Sequence, residues 1–134
     1  AFFKNDLNTE ILNHYLKTVD SHGDLRKNNI LYNSKKNKIY YIDWDLSGKY
    51  TFTYDIFFLM YHEATHAKNF SLIHKYMNGD YDEMLSEMYY IFNEKYERSY
   101  RKQYLIAFML EHYVKKVNCD SKFILKYKNI MDNI

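Results

Sequence analysis

Side chains able to hold a divalent cation flank two short apolar runs in the first half of the chain. Asp24 and Asn29 come before or at the start of the first run, and Asp43 and Asp45 follow the second. If the two runs pair as a hairpin, these four side chains can converge at one end of it. Carboxylate and amide oxygens suit Mg²⁺, which usually keeps coordination positions open for substrate phosphates. A carboxylate that is not a metal ligand could orient or deprotonate an attacking hydroxyl. Solvated or capping carboxylates are the alternative that spacing alone leaves open.

Two short strands are the elements that would position these residues. Residues 29–32 and 39–42 are β-branched and aromatic, which is typical of strands, and the polar stretch 33–38 between them suits a hairpin loop. The Ser-Gly-Lys sequence at 47–49 predicts a turn after the second strand.

The rest of the chain shows the apolar spacing of helices. A first helix is expected over 9–19, with Asp6 or Asn8 available to cap its start. From Tyr54 onward the pattern is helical to the end. The expected helices cover residues 54–67, 69–78, 81–97, 99–117 and 121–132.

Length and composition limit the classes of protein to consider. A chain of 134 residues, of which 47% are apolar, fits one folded domain. A net charge of +2 gives no electrostatic reason to expect nucleic acid or an anionic membrane as a partner. No apolar run approaches the roughly 18 residues of a membrane span. The single cysteine, Cys119, excludes an internal disulfide and favours a reducing compartment, so we expect a cytoplasmic protein.

The motif at 22–31 also resembles a known family. Its sequence H-G-D-L-x-x-x-N-I-L, followed by I-D-W-D, S-G and Y-D-I, resembles the catalytic core of the aminoglycoside phosphotransferase and choline kinase superfamily. The resemblance covers residues 22 to about 60. It implies an α+β fold, namely the mainly helical C-terminal lobe of a protein-kinase-like fold, with a small β-hairpin that carries the catalytic loop.

The resemblance implies a role for each polar residue of the site. Asp24 would engage the acceptor hydroxyl as the catalytic aspartate, and Arg26 would be a cation near the transferring phosphate. Asn29 and Asp43 would be the Mg²⁺ ligands, with Asp43 bridging the metal and the nucleotide phosphates. Asp45 would have a partial or indirect metal role.

Two further residues would support the loop. His22 matches a position that braces the catalytic loop, and Asp55 matches a buried aspartate that holds the loop from behind. The cofactors implied are Mg²⁺ and ATP or GTP. Protein kinases carry H-R-D, D-F-G and A-P-E motifs, whereas this chain has Gly23 in place of the arginine and contains no proline. The acceptor implied is therefore a small molecule, choline-like or aminoglycoside-like, rather than a protein.

Aromatic residues near the second run bear on that acceptor. Trp44, Tyr50, Phe52 and Tyr54 could cage a quaternary ammonium by cation–π contact. Plain packing is the alternative.

The resemblance also implies a missing part. In this superfamily an N-terminal lobe supplies the glycine-rich loop and the strand lysine that hold the nucleotide. Only 21 residues precede His22, they contain no glycine, and the chain begins with Ala1 rather than Met. We therefore expect residues 1–134 to form a single C-terminal lobe that is inactive without its N-terminal lobe.

Two alternatives belong to other functional classes. One is a catalytically silent pseudokinase lobe that serves as a binding or structural module; the presence of Asp24, Asn29 and Asp43 together counts against it. The other is a zinc protease, because His62-Glu63-Ala64-Thr65-His66 matches H-E-x-x-H. On the phosphotransferase interpretation, the two histidines should lie near the end of their helix, away from Asp24 and Asp43.

Overall fold

The computed structural model describes residues 6, 17–116 and 122–134. These residues form an α+β fold of four short strands and five α-helices. The strands are β1 (Thr18–Ser21), β2 (Ile30–Asn33), β3 (Lys38–Tyr41) and β4 (Gly48–Thr51). The helices are α1 (Tyr54–Thr65), α2 (Ser71–Asn78), α3 (Asp82–Ile91), α4 (Arg101–Lys116) and α5 (Phe123–Asp132). Short 3₁₀ turns cover Lys27–Asn29 and Arg98–Tyr100.

The strands form two separate antiparallel pairs. β2 pairs with β3, with Ile30 opposite Tyr41 and Asn33 opposite Lys38, so the predicted hairpin is confirmed to within one residue. β1 pairs with β4 and brackets that hairpin in the sequence. The 22–29 loop therefore connects β1 to β2, and the 42–47 loop connects β3 to β4.

The pairing of β1 with β4 shows that the helix predicted over 9–19 is wrong at its C-terminal end. Residues 7–16 of that range lie outside the described residues, but Thr18 and Val19 belong to β1, where they face Thr51 and Tyr50 of β4. The pairing partner lies about thirty residues along the chain, so local spacing cannot show it. Strand pairing here overrides the local helical pattern.

The predicted turn at 47–49 is also displaced. Gly48 and Lys49 are the first residues of β4, and the turn lies earlier, at 44–47, where the amide of Ser47 donates to the carbonyl of Trp44 at 2.9 Å. Because Gly48 faces Ser21 across the β1–β4 pair, it is drawn into the strand.

The helices follow the predicted order, with one large difference in length. The helix expected over 81–97 ends at Ile91. Asn93 takes a left-handed conformation with φ of 57°, and the amides of Asn93 and Glu94 bond back to the carbonyls of Tyr90 and Tyr89. This is a Schellman motif, which terminates a helix without glycine when asparagine occupies the left-handed position. Cys119 lies outside the described residues.

An aromatic core fixes α1, the helix that carries Asp55. Tyr54, Phe57 and Tyr61 of α1 are at most 1% exposed. The hydroxyl of Tyr54 lies 2.9 Å from Nδ1 of His112 on α4, so the start of α1 is tied to a neighbouring helix. Full burial of one large apolar side chain contributes about 1.5–3 kcal/mol, which makes α1 a rigid support for whatever its polar face contacts. Among the described residues, no helix has the length and hydrophobicity that crossing a bilayer requires.

Candidate active site

The carboxylate of Asp55 anchors the start of the 22–29 loop. Its two oxygens accept hydrogen bonds from the amides of His22 and Gly23, at 2.8 and 2.9 Å. Gly23 has a φ of 79°, and a Cβ at this position would collide with the carbonyl of Leu46 and the ring of Tyr50. Only glycine fits this position, where the loop makes a left-handed step against the 42–47 loop.

The imidazole of His22 links the two loops that flank the hairpin. Its Nε2 lies 2.7 Å from the carbonyl of Ile42, and the amide of Asp24 donates to its Nδ1 at 3.3 Å. A carbonyl can only accept and an amide can only donate, so these partners fit the tautomer protonated on Nε2. Trp44 packs on the ring, with centroids 4.7 Å apart. His22 is 3% exposed, and its ring fixes the backbones of the two loops relative to each other.

Asn29 is buried and oriented by Asp24. The Nδ2 group of Asn29 donates to the carbonyl of Asp24 at 2.9 Å and to its Oδ2 at 3.3 Å. Both partners accept only, so the nitrogen must face them and Oδ1 must face away. The amide oxygen, the atom that a cation would need, is thus left outside these bonds.

Asp43 is brought next to Asn29 through the backbone. The amide of Ile42, the preceding residue, donates to the carbonyl of Asn29 at 3.0 Å. Asp43 has a φ of 62°, a left-handed conformation that few non-glycine residues adopt and that is often found at functional sites. Its side chain is exposed, and no described residue pairs with its carboxylate.

Asp45 lies two residues further on, in the turn that precedes β4. Its exposed carboxylate likewise contacts no partner within the described ranges. Nothing in the structure draws it toward Asn29, so its position gives less support to a metal role than that of Asp43.

Arg26 lies beside the candidate catalytic carboxylate. Its Nε is 3.4 Å from Oδ2 of Asp24, an ion-pair distance, but the geometry is not that of a hydrogen bond, and the buried Nε makes none with any described residue. The guanidinium therefore balances the charge of Asp24 while keeping donors that another anion could use.

The oxygen donors fit an open cation site rather than a closed one. Among the described residues, no three His, Cys, Asp or Glu side chains are placed to hold a metal ion together. Asn29 and Asp43 offer two protein oxygens, which matches the way Mg²⁺ is usually held, by one or two protein groups together with phosphates and water.

The H-E-x-x-H segment lies closer to this site than the sequence indicated. The carboxylate of Glu63 forms an ion pair with Nζ of Lys27, in the 22–29 loop, at 2.6 Å. The rings of His62 and His66 stack with centroids 4.2 Å apart. The two histidines lie at the end of α1, as expected. The expectation that they lie away from Asp24 is wrong, because His66 lines the same cavity as Gly23, the residue before Asp24.

The environment of His62 reflects that proximity. Burial lowers the pKa of its imidazole, and the neighbouring His66 and Arg26 lower it further. Its Nδ1 is buried and has no hydrogen-bond partner among the described residues. Glu63 and Lys27 were not identified from the sequence as a pair, since a motif of five consecutive residues cannot reveal a partner on a distant loop.

A cavity of about 150 Å³ opens beside Gly23. The side chains lining it come from α1, α4, α5 and the 42–47 loop. They include Leu46, Phe58, Tyr61, His66, His112, Lys116 and Lys126.

The aromatic residues proposed as a cation cage pack within the protein instead. Phe52 and Tyr54 are buried in the core. The ring of Tyr50 is already contacted by the ammonium groups of Lys115 and Lys116, at 4.7 and 5.4 Å from its centroid. The packing alternative therefore describes Tyr50, Phe52 and Tyr54, whereas Trp44 packs on His22 on one side and is 49% exposed.

Comparison with known proteins places this geometry in a family. The family model APH, phosphotransferase enzyme family, matches residues 4–90, which is more than half of the chain and includes the two loops and α1. The match extends beyond the 22–60 segment that carries the sequence resemblance. No curated protein and no solved structure matches the chain significantly. The chain belongs to the APH phosphotransferase enzyme family.

Proposed function

We propose that this protein takes part in transfer of the γ-phosphate of ATP or GTP to a hydroxyl of a small molecule. The observation that carries the proposal is the arrangement of Asp24 and Asn29. The nitrogen of the Asn29 side-chain amide is held by Asp24, so the amide oxygen is directed away from that residue, and the backbone carbonyl of Asn29 accepts from the amide of Ile42, which precedes Asp43. These bonds support the proposal that a base candidate and two candidate cation ligands lie near one another, as phosphoryl transfer requires.

The roles divide between the two loops. Asn29 and Asp43 would hold Mg²⁺, and Asp45 is the weaker third candidate. Mg²⁺, when bound, would neutralise charge on the nucleotide phosphates. Asp24 would orient the acceptor hydroxyl and take its proton.

Arg26 would stabilise charge on the transferring phosphate. In the structure its Nε faces Asp24 without a hydrogen bond, and its side chain is 37% exposed. A guanidinium held this way can turn from the carboxylate toward an incoming phosphate at little cost, because it gives up no well-formed bond. His22 and Asp55 would act through the loop backbone.

We further propose that residues 1–134 act as one catalytic-loop lobe that needs a separate nucleotide-binding lobe for turnover. In support, the sequence has only three glycines, which are spread along the chain at 23, 48 and 79 and form no glycine-rich phosphate loop.

The cavity beside Gly23 is the candidate acceptor site, since it adjoins the residue before Asp24. A choline-like or aminoglycoside-like acceptor is a cation, which carboxylates attract. The described lining residues include lysines and histidines but no carboxylate. The lining thus favours neither of those two acceptor types over other small alcohols.

The test uses the full-length protein with radiolabelled ATP, Mg²⁺ and a panel of small alcohols. Asp24→Asn should lower kcat by about 10²–10⁴, the usual contribution of a positioned general base, while the KM for ATP stays nearly constant. Asp20→Asn is the matched control, because among the described residues Asp20 pairs only with Lys49, on the surface. Full kcat in Asp24→Asn at saturating substrate would show that the assignment is wrong.

A further inference from the structure

We propose that Glu63 is a positioning residue, which holds the 22–29 loop in its working conformation through Lys27. The effect on turnover rests on the proposed function, whereas the effect on the loop does not.

The ion pair of Glu63 joins a buried carboxylate to a largely exposed ammonium group. The side chain of Glu63 is 7% exposed, while that of Lys27 is 60% exposed, and their charged atoms lie 2.6 Å apart. A buried carboxylate is costly unless it is paired. Lys27 is its charged partner among the described residues. The pairing therefore draws Lys27, and the backbone that carries it, down onto α1.

A single helix then holds the loop at both ends. Asp55, in the first turn of α1, binds the amides of His22 and Gly23. Glu63 lies about two turns later, roughly 12 Å along the same helix, and binds Lys27. Asp24 lies between the two attachment points, so its position depends on both of them.

The second attachment point also orients the metal-ligand candidate. Lys27 begins the 3₁₀ turn that ends at Asn29, and the amide of Asn29 closes this turn on the carbonyl of Arg26 at 2.8 Å. Release of Lys27 would loosen the turn and with it the orientation of the Asn29 amide. The glutamate of the H-E-x-x-H motif thus serves the loop and is not available as a protease base.

The test measures amide exchange of residues 24–29 and Mg²⁺-dependent ATP turnover in the full-length protein. Glu63→Gln and Lys27→Met should each speed exchange of these amides by about tenfold or more, as expected when a local contact is lost. Each should lower kcat about 10- to 100-fold, the cost of a displacement near 1 Å, with the KM for ATP changed no more than a few-fold. The double variant should change exchange and kcat no more than either single variant does. Lys27→Arg keeps the positive charge, so both readouts should stay close to those of the parent protein.

The controls are Lys95→Met and Glu97→Gln, which break an exposed ion pair of 2.5 Å outside the loop. Neither should change exchange of 24–29 or kcat. Lys27→Met leaves the Glu63 carboxylate buried without its charged partner, whereas Glu63→Gln removes that charge, so Glu63→Gln gives a folded variant even where Lys27→Met unfolds. Normal loop exchange in either folded variant would overturn the positioning role. If the variants exchange the amides of 24–29 faster than the parent protein, but the parent itself shows no Mg²⁺-dependent turnover, the positioning role is supported and the proposed function is not.

Discussion

The two hydrogen bonds that Asp55 accepts allow a quantitative test of how the 22–29 loop is held. Hydrogen bonds to a charged group contribute about 1.5–3 kcal/mol each. Asp55 also lies in the first turn of α1, where a negative charge contributes a further 0.3–1 kcal/mol or so. Because the residue is only partly buried, the lower values apply, and Asp55→Ala should cost about 3 kcal/mol. Asp55→Asn keeps one acceptor oxygen and should cost roughly half as much.

The assay is urea unfolding at pH 7, combined with exchange of individual amides. A loss of about 3 kcal/mol corresponds to roughly a hundredfold faster exchange at His22 and Gly23, since each 1.4 kcal/mol or so is a factor of ten. Asp20→Asn is the control: its partner Lys49 and Asp20 itself are 66% and 86% exposed. That change should stay within about 0.5 kcal/mol. If Asp55→Ala costs less than about 1 kcal/mol and leaves both amides protected, the carboxylate is not what holds the loop.

Two other predictions concern charge in the helical part and at the metal-ligand candidate. Hydrogen bonds from Arg101 hold the pKa of Asp82 below its usual value. Asp82 therefore stabilises the fold above about pH 4, and this contribution is lost as the pH falls through the lowered pKa. Asp82→Asn should cost roughly 3 kcal/mol in urea unfolding at pH 7, and the difference from the parent should shrink steadily below pH 4; an equal difference at pH 7 and pH 2 would contradict the assignment. Asp43→Ala should abolish Mg²⁺-dependent turnover of the full-length protein and lower its stability by only about 1 kcal/mol, because the side chain is exposed and pairs with no described residue, and only the left-handed backbone disfavours alanine. Retained turnover would exclude Asp43 as a ligand.

The hairpin and its polar ends could be predicted because their signals are local. A polar loop of suitable length separates the runs at 29–32 and 39–42, and the paired strands lie within one residue of those bounds. Once the hairpin is placed, its geometry alone brings the backbone of Asp43 next to Asn29. The direction of the Asn29 amide could not be predicted, since it depends on the bonds that its nitrogen makes to Asp24.

The missed contacts that matter most for the candidate site join distant parts of the chain. β1 and β4 pair across the whole hairpin, so the helical spacing near Val19 was misleading. Lys27 meets Glu63 only because α1 folds back along the loop. The H-E-x-x-H match directed attention to a metal, whereas the folded chain uses the glutamate of that motif in an ion pair.

The position of the candidate site therefore depends on the packing of α1. One side of this helix is buried in the aromatic core through Phe57 and Tyr61, each 1% exposed. Its polar contacts, Asp55 and Glu63, reach the loop from the same rigid support. Displacement of the helix would move both attachment points together, so the loop would keep its shape while shifting against the hairpin. Loss of one attachment would instead distort the loop itself, which is why changes at Asp55 and Glu63 should impair the site out of proportion to their distance from the reacting atoms.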